Sequence, residues 1–424
     1  MIYDKKIVST FAKHMICPDS LYGVLSQQEL GDIGSADFSD YPYRHNSDRF
    51  RGDSVASSDM LLAKLKGAVL ASVPTGKKPL LLLSDGKDSM GLAVAFSEVG
   101  VSCDTLTLLR ADDLDLRSYV EATAKKLGHS SYFVDVDEIV SSFDKDVFSL
   151  ACKKMSVPVL DQGFLFFLFG LRCFFDRNKL NPTDFVVVDG LGNDEYFGHI
   201  PSHNQLNSYK LSKFRLWSLV PKSLQQLRWY LRSPAESQGD LSSLFCFFPL
   251  SHAHDLNKYF SLVPHSSQAE SFVDFRAFSR GAFHDHQCMM GKTKVAADFL
   301  GSQVVFPWLN SALVDYCFNL PISEKYDFSL LKNKLLLRDL LNEKTGWEQS
   351  KRGVDLYFDL NFRYFRESIL VELVPYKFIE SIDKKIGVPD YVKKRGYLEL
   401  LNFYVYLSAK GFSTQEIHEV FFGK

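Results

Sequence analysis

Between residues 58 and 190 the chain alternates short apolar runs with amphipathic stretches. Met60 to Ser72 places Leu61, Leu62, Leu65, Ala68 and Val69 on one helical face; Ser58 or Asp59 is placed to cap it, and Pro74-Thr75-Gly76 ends it. Pro79 to Leu83 is a bare apolar run, too short for a helix and suited to a strand buried on both faces. Val101 to Leu109 reads as a second strand, Leu116 to Leu127 as a helix closing at Gly128, and Ser131 to Val136 as a third strand. A long apolar helix from about Asp161 to Arg177 leads to a fourth strand, Asp184 to Val188. Strands alternating with helices at this spacing predict an α/β fold. The sheet is parallel and twisted, with right-handed crossovers and helices on both faces, and a mainly helical C-terminal part follows. In such sheets ligands sit at the carboxyl ends of the strands.

Two polar turns fall at those ends. The first, Ser84-Asp85-Gly86-Lys87-Asp88-Ser89, joins the Pro79 strand to an apolar helix that resumes at Met90. The first N–H groups of a helix lack partners and its dipole favours an anion, so this junction suits a phosphate. It is neither the G-x-x-x-x-G-K-[ST] loop nor the G-x-G-x-x-G fingerprint. A plain βα turn capped by Asp and Ser would read the same way. The second turn, Asp189-Gly190-Leu191-Gly192-Asn193-Asp194-Glu195, carries two glycines that let backbone approach a ligand and carboxylates suited to magnesium. If both turns open on one sheet edge, Asp88 and Asp194 are placed to share a magnesium that bridges triphosphate oxygens.

Composition narrows the field. The 424 residues, 46% of them apolar, suffice for a large core in one or two domains. A net charge of −2 supplies no field toward nucleic acid or membrane. The basic clusters Lys384-Lys385 and Lys393-Lys394-Arg395 read as solvated faces, so no nucleic-acid partner is expected. Seven scattered cysteines without a C-x-x-C pair predict reduced thiols, no zinc site and a cytoplasmic protein. No signal peptide is visible, and Phe164 to Phe175 is interrupted by Arg172 and too short for a membrane span.

Ser-x-Gly-x-Asp-Ser resembles the pyrophosphate loop of the ATP pyrophosphatases, which cut ATP between its α- and β-phosphates. Residues from about 60 to 355 resemble, more closely, the synthetase domain of the asparagine synthetase family, whose relatives include β-lactam synthetase and the lasso-peptide cyclases. DGLGNDEYFG stands where that family has SGEGxDELFGG. Val304 to Pro321 stands for its VRVPFLD block, Lys334 to Leu341 (KLLLRDLL) for K-x-x-LR, and Trp347 to Gly353 (WEQSKRG) for R-x-K-x-G/F. The resemblance implies an adenine nucleotide α-hydrolase-like fold over residues 58–424, with a helical extension from about residue 200. Residues 1–57, rich in polar and turn residues, are expected to form a small irregular segment, too short for the family's glutaminase domain.

It also implies ATP and Mg²⁺ as cofactors and a set of site residues. Leu83, Ser84, Asp85, Gly86, Lys87, Asp88, Ser89, Thr107, Gly190 and Gly192 would hold ATP and its pyrophosphate. Asp88 and Asp194 would hold the metal. Lys351, Lys334 and Arg338 would be catalytic, with Lys334 and Arg338 on one helix face. Read without the resemblance, Lys351 is a surface lysine and the Lys334–Arg338 pair a solvent-exposed stripe.

The departures shape the expected chemistry. Asp85 replaces the family's first loop glycine, and a carboxylate beside phosphate is unfavourable unless it turns away or meets a metal. Ile2 replaces the cysteine that releases ammonia from glutamine, so the amine would come from the substrate, from free ammonia or from a separate partner subunit. Leu191 replaces the Glu or Tyr near the substrate and cannot take a proton. His284, Asp285 and His286 can supply a base or serve as caps and core. Gln303, Val305 and Asn310 depart from the family's Glu, Arg and Asp, which argues against aspartate as substrate. The aromatic region from Gly198 to about Phe283 is placed to set specificity.

The expected activity is therefore an ATP-dependent ligase that adenylates a small-molecule or peptide carboxylate and passes it to an amine. Modification of a base, sugar or carrier, and ATP binding without turnover, stay open as alternatives.

Overall fold

Ser57 turns the chain into the first helix among the described residues, its backbone extended and its Oγ accepting from the Met60 N–H at 3.4 Å. The computed structural model describes residues 53–110, 113–155, 158, 159, 161–198, 289–347, 356, 361–385 and 390–422. Helix α1 (Ser58–Ser72) buries the anticipated face of Leu61, Leu62, Leu65, Ala68 and Val69. Strand β1 (Lys78–Leu82) runs into helix α2 (Lys87–Glu98), which is buried from Ser89 to Phe96.

Strand β2 (Asp104–Leu109) begins later than the apolar pattern suggests: the Val101 N–H is taken by the Phe96 carbonyl and the Cys103 N–H by His129 Nδ1. Helix α3 (Leu114–Lys126) closes at Gly128, whose φ of 79° is a left-handed conformation that favours glycine. Strand β3 (Ser130–Asp135) follows, and Asp135 caps helix α4 (Val136–Ser141) by accepting from the Glu138 N–H at 2.8 Å. Helix α5 (Lys145–Lys154) is capped by Asp144.

Helix α6 (Phe164–Asn178) is the long apolar helix, its phenylalanines interleaved in the core. Gly170 brings it close to the sheet: a Cβ there would stand 2.7 Å from Leu108 Cδ2. Among the described residues no helix is long and apolar enough to cross a membrane.

Strand β4 (Phe185–Val188) is wholly buried. Helix α7 (Met290–Leu300) and Gly301 (φ 86°) lead into β5 (Gln303–Val305). The Val304–Pro321 block thus splits into the end of β5, a 3-10 turn at Pro307–Leu309, and helix α8 (Ser311–Phe318). Next come α9 (Ile322–Lys325), the antiparallel pair β6 (Tyr326–Asp327) and β7 (Lys332–Asn333), and α10 (Leu335–Thr345). Lys334 precedes α10 with a φ of 54°, so it does not share a helix face with Arg338 as the spacing suggested. Lys334 is also fully buried, which rules out the exposed stripe.

The remainder is mostly helical: Phe362–Leu373, α11 (Tyr376–Lys385), α12 (Asp390–Ala409) and α13 (Thr414–Phe422). The anticipated Tyr397–Leu407 helix is the buried C-terminal half of α12.

Among the described residues, β1 to β5 form one sheet in the order β3-β2-β1-β4-β5, every pair parallel and the whole flanked by helices. Lys78 at the start of β1 meets Asp104 at the start of β2 at 2.7 Å. Chain contacts divide the molecule into two compact units. The sheet unit holds residues 57–191, 288–313 and 337–424; of the second unit, 53–56, 192–198 and 314–336 are described.

Candidate functional site

The sheet changes direction between β1 and β4: β2 and β3 lie to one side of β1, and β5 lies beyond β4. The carboxyl ends of two such neighbours part and leave a crevice. A cavity of about 240 Å³ opens there. A water needs roughly 15 Å³ measured the same way, so the space suits a small organic ligand. Its lining comes from the β1 turn (Leu82, Leu83, Ser84, Gly86, Asp88, Ser89), from Leu106 and Leu108 of β2, and from Asp189, Gly190 and Leu191 after β4. Phe167, Lys292 and Leu356 complete it.

Two serines tie the β1 turn to itself. Ser89 Oγ accepts from the Ser84 N–H at 3.1 Å and lies 3.0 Å from Ser84 Oγ, which accepts from the Gly86 N–H at 3.1 Å. The Ser89 hydroxyl proton has the carbonyls of Ser84 and Gly86 within 3.2 Å. Gly86 is the N-cap of α2 and supplies no side-chain cap, so the first turn of that helix keeps its capacity for an anion.

Gly190 joins the second turn to the first. A Cβ there would come within 2.9 Å of the Ser89 amide nitrogen, so only glycine lets the two turns touch. Beside it, Asp189 accepts from Thr293 Oγ1 at 2.6 Å and from the Leu191 N–H at 3.1 Å. Burial raises the Asp189 pKa above the usual carboxylate value, while Thr293 and Lys292 pull it back. Lys292 Nζ pairs with Asp161 at 3.3 Å and sits 5.3 Å from the centre of the Phe167 ring.

The turn is also gripped from outside. Trp347 Nε1 donates to the Asp85 carbonyl at 2.9 Å, and Trp308 Nε1 donates to the Asp88 carbonyl at 3.2 Å. The Arg338 guanidinium lies 5.8 Å from the centre of the Trp347 ring. Held against Trp347, this cation stands beside the turn; burial lowers its pKa and the Asp88 carboxylate raises it.

Other anticipated residues lie elsewhere. The Asp85 and Lys87 side chains are not among the cavity lining. Asp85 is buried, and its pKa is raised by that burial and by Asp113. Thr107 is buried in β2 between two residues that line the cavity, and its Oγ1 has no hydrogen-bond partner among the described residues. Lys351, His284, Asp285, His286 and the specificity region from 199 to 283 fall outside the described residues.

Asp194 and Gly192 belong to the second unit, where Asp194 opens a short π-helix (Asp194–Gly198) and Gly192 has a φ of 111°. Asp194 Oδ1 meets Lys334 Nζ at 2.6 Å, and the same ammonium donates to Asn193 Oδ1 at 2.7 Å. Lys334 is wholly buried while the Asp194 side chain is 36% exposed, so the acid is the wetter end of the pair. Nearby, burial raises the Cys317 pKa against the pull of Lys325 and Lys334.

The tryptophans and the Asp161–Lys292–Asp189–Thr293 cluster carried no role in the sequence. Trp308 and Trp347 do stand inside two of the family-like blocks, so the signal was present as position and absent as chemistry. Compared with protein-family models and with curated proteins, the sequence matches none.

Proposed function

We propose that the chain is an ATP-dependent amide-forming ligase with an adenine nucleotide α-hydrolase-like sheet. It would join a carboxylate to the AMP moiety of ATP, with release of pyrophosphate, and pass the acyl group to an amine with release of AMP. The observation that carries the reading is the switch-point cavity, where the Ser84–Ser89 turn and Gly190 meet at the N-terminus of α2.

In this reading the Ser84 and Ser89 hydroxyls and the Gly86 N–H exchange the bonds that tie the turn to itself for bonds to pyrophosphate oxygens, and Arg338 offsets charge from beside the turn. Leu82, Leu83, Leu106, Leu108 and Phe167 give the cavity apolar walls that suit the face of a base and exclude water. Among the described residues no group of three or more His, Cys, Asp and Glu is arranged for a metal. Magnesium on a nucleotide needs only one or two protein carboxylates, and Asp88, which lines the cavity, fits that part. Magnesium would neutralise charge on the phosphate oxygens. Leu191 offers no base, so the amine arrives neutral or is deprotonated by another group.

The test is incubation of the protein with ATP, magnesium and small molecules extracted from its own cells. AMP and pyrophosphate formed in equal amounts support the ligase; ADP and phosphate overturn it. Leu191 and the engagement of Asp194 by Lys334 favour a second reading, ATP binding without turnover. Saturable ATP binding with no product under any extract would select it.

A further inference from the structure

The β1 turn is held by two donors whose partners lie 262 and 220 residues away in the chain. In a planar trans peptide the carbonyl and the following N–H point in opposite directions. The bond from Trp347 to the Asp85 carbonyl therefore helps set the direction of the Gly86 N–H, which donates to Ser84 Oγ at 3.1 Å. The bond from Trp308 to the Asp88 carbonyl likewise reinforces the first turn of α2 in orienting the Ser89 N–H, whose nitrogen adjoins Gly190 in the cavity wall.

An anion at this turn needs N–H groups aimed inward and carbonyls turned away, since a carbonyl oxygen facing phosphate repels it. The Asp85–Gly86 peptide is held at its N–H only by the nearby Ser84 Oγ, at 3.1 Å, and glycine tolerates either orientation once a ligand competes for that bond. Trp308 is fully buried and Trp347 is 5% exposed, so neither indole N–H has water as a ready alternative partner. Trp347 carries a second load through the Arg338 guanidinium against its ring.

We propose that Trp347 and Trp308 are positioning residues that pin the peptide planes of the β1 turn for a pyrophosphate group, with Trp347 also holding Arg338 beside it. The proposal rests on the nucleotide reading above, and the two fail in different ways.

The experiment is calorimetric titration of the full chain, in magnesium, with inorganic pyrophosphate, ATP and adenosine in turn. Trp347→Phe removes the donor and keeps an aromatic ring. It is expected to weaken pyrophosphate and ATP about tenfold, the scale of one hydrogen bond, and to leave adenosine unchanged. Trp308→Phe is expected to show the same selective loss, with an added drop in melting temperature because its ring packs 3.3 Å from where a Gly91 Cβ would stand.

An unchanged pyrophosphate affinity, or an equal loss for all three ligands, overturns the positioning role. If the unmodified protein binds none of the three, the nucleotide reading falls and takes the proposal with it. Should the variants not fold, tryptophan emission of the unmodified protein during pyrophosphate titration decides: a saturable shift supports the pinning, and unchanged emission overturns it.

Discussion

Gly190 lies so close to Ser89 that a methyl group on it would stand 2.9 Å from the Ser89 amide nitrogen and 3.1 Å from its Cα. Both atoms belong to backbone at a helix start, which cannot step aside as a side chain can. Gly190→Ala is expected to cost about 1–3 kcal/mol of stability, the range for overpacking a filled site. It is also expected to weaken ATP by an order of magnitude or more, because the strain falls on an amide of the anion site. Denaturant melting and calorimetry read the two effects.

The Lys334–Asp194 pair is asymmetric, which gives a directional prediction. Asp194→Ala removes the counter-charge of an ammonium with no exposure, leaving it neutral acceptors such as Asn193, and is expected to cost about 3 kcal/mol. Lys334→Met leaves a carboxylate that is 36% exposed and can turn to water, so it should cost less. Equal denaturation midpoints for the two variants would contradict this ordering.

Asp85 replaces a glycine in the family-like loop, yet its carboxyl sits in a buried environment near Asp113. Its folded-state pKa is raised above the ordinary 3.8, so ionised Asp85 weighs against the fold at neutral pH. That penalty fades as pH falls through the folded-state value toward 3.8. Asp85→Asn should raise the melting temperature at pH 7, with the gain shrinking near pH 4. ATP affinity should change by less than about twofold, since the side chain is not among the cavity lining and its charge acts at a distance.

His129 supplies an opposite pH dependence. Its Nδ1 accepts from the Cys103 N–H at 3.3 Å, so the proton sits on Nε2 and is donated to the Ala93 carbonyl at 2.9 Å. Burial lowers its pKa below the ordinary 6.5. The contribution to stability is therefore complete above pH 6.5 and declines as pH drops below that, since the unfolded chain takes up the proton first. Unfolding free energies at pH 7.5, 6.5 and 5.5 should show the decline. His129→Phe should remove that part of the slope.

What the sequence made legible follows the physics of each element. The α1 stripe and the alternation of β1 to β4 with helices could be read because burial on a sheet or helix face imposes a period on the chain. The start of β2 was misplaced because Val101 and Cys103 alternate like a strand, whereas the Val101 N–H bonds the Phe96 carbonyl and the Cys103 N–H bonds His129, so pairing starts at Asp104. Lys334 was misread for a related reason. Its spacing to Arg338 fits a helix, but a left-handed φ takes it off that helix and buries it against Asn193 and Asp194.

The candidate site was legible as two turns and not as a cavity. Ser84, Gly86, Asp88, Ser89 and Gly190 announce themselves through turn chemistry. Asp189, Lys292 and the two tryptophans do not, since their roles depend on which distant backbone they meet. A buried lysine or an indole N–H carries no pattern in a single sequence until the fold supplies its partner.

The order of the strands has a consequence for how the protein is made. The β1 turn is synthesised early, but β4 returns to pair with β1 only after the excursion through β2, β3 and α6. Gly190 cannot reach Ser89 until that long loop has closed, a step whose entropic cost falls on the folding rate. A nascent or partly opened chain that lacks the β1–β4 pairing holds the anion turn without its far wall. A ligand of this crevice would thus select chains whose sheet has zipped shut, slowing their reopening and shielding them from proteases.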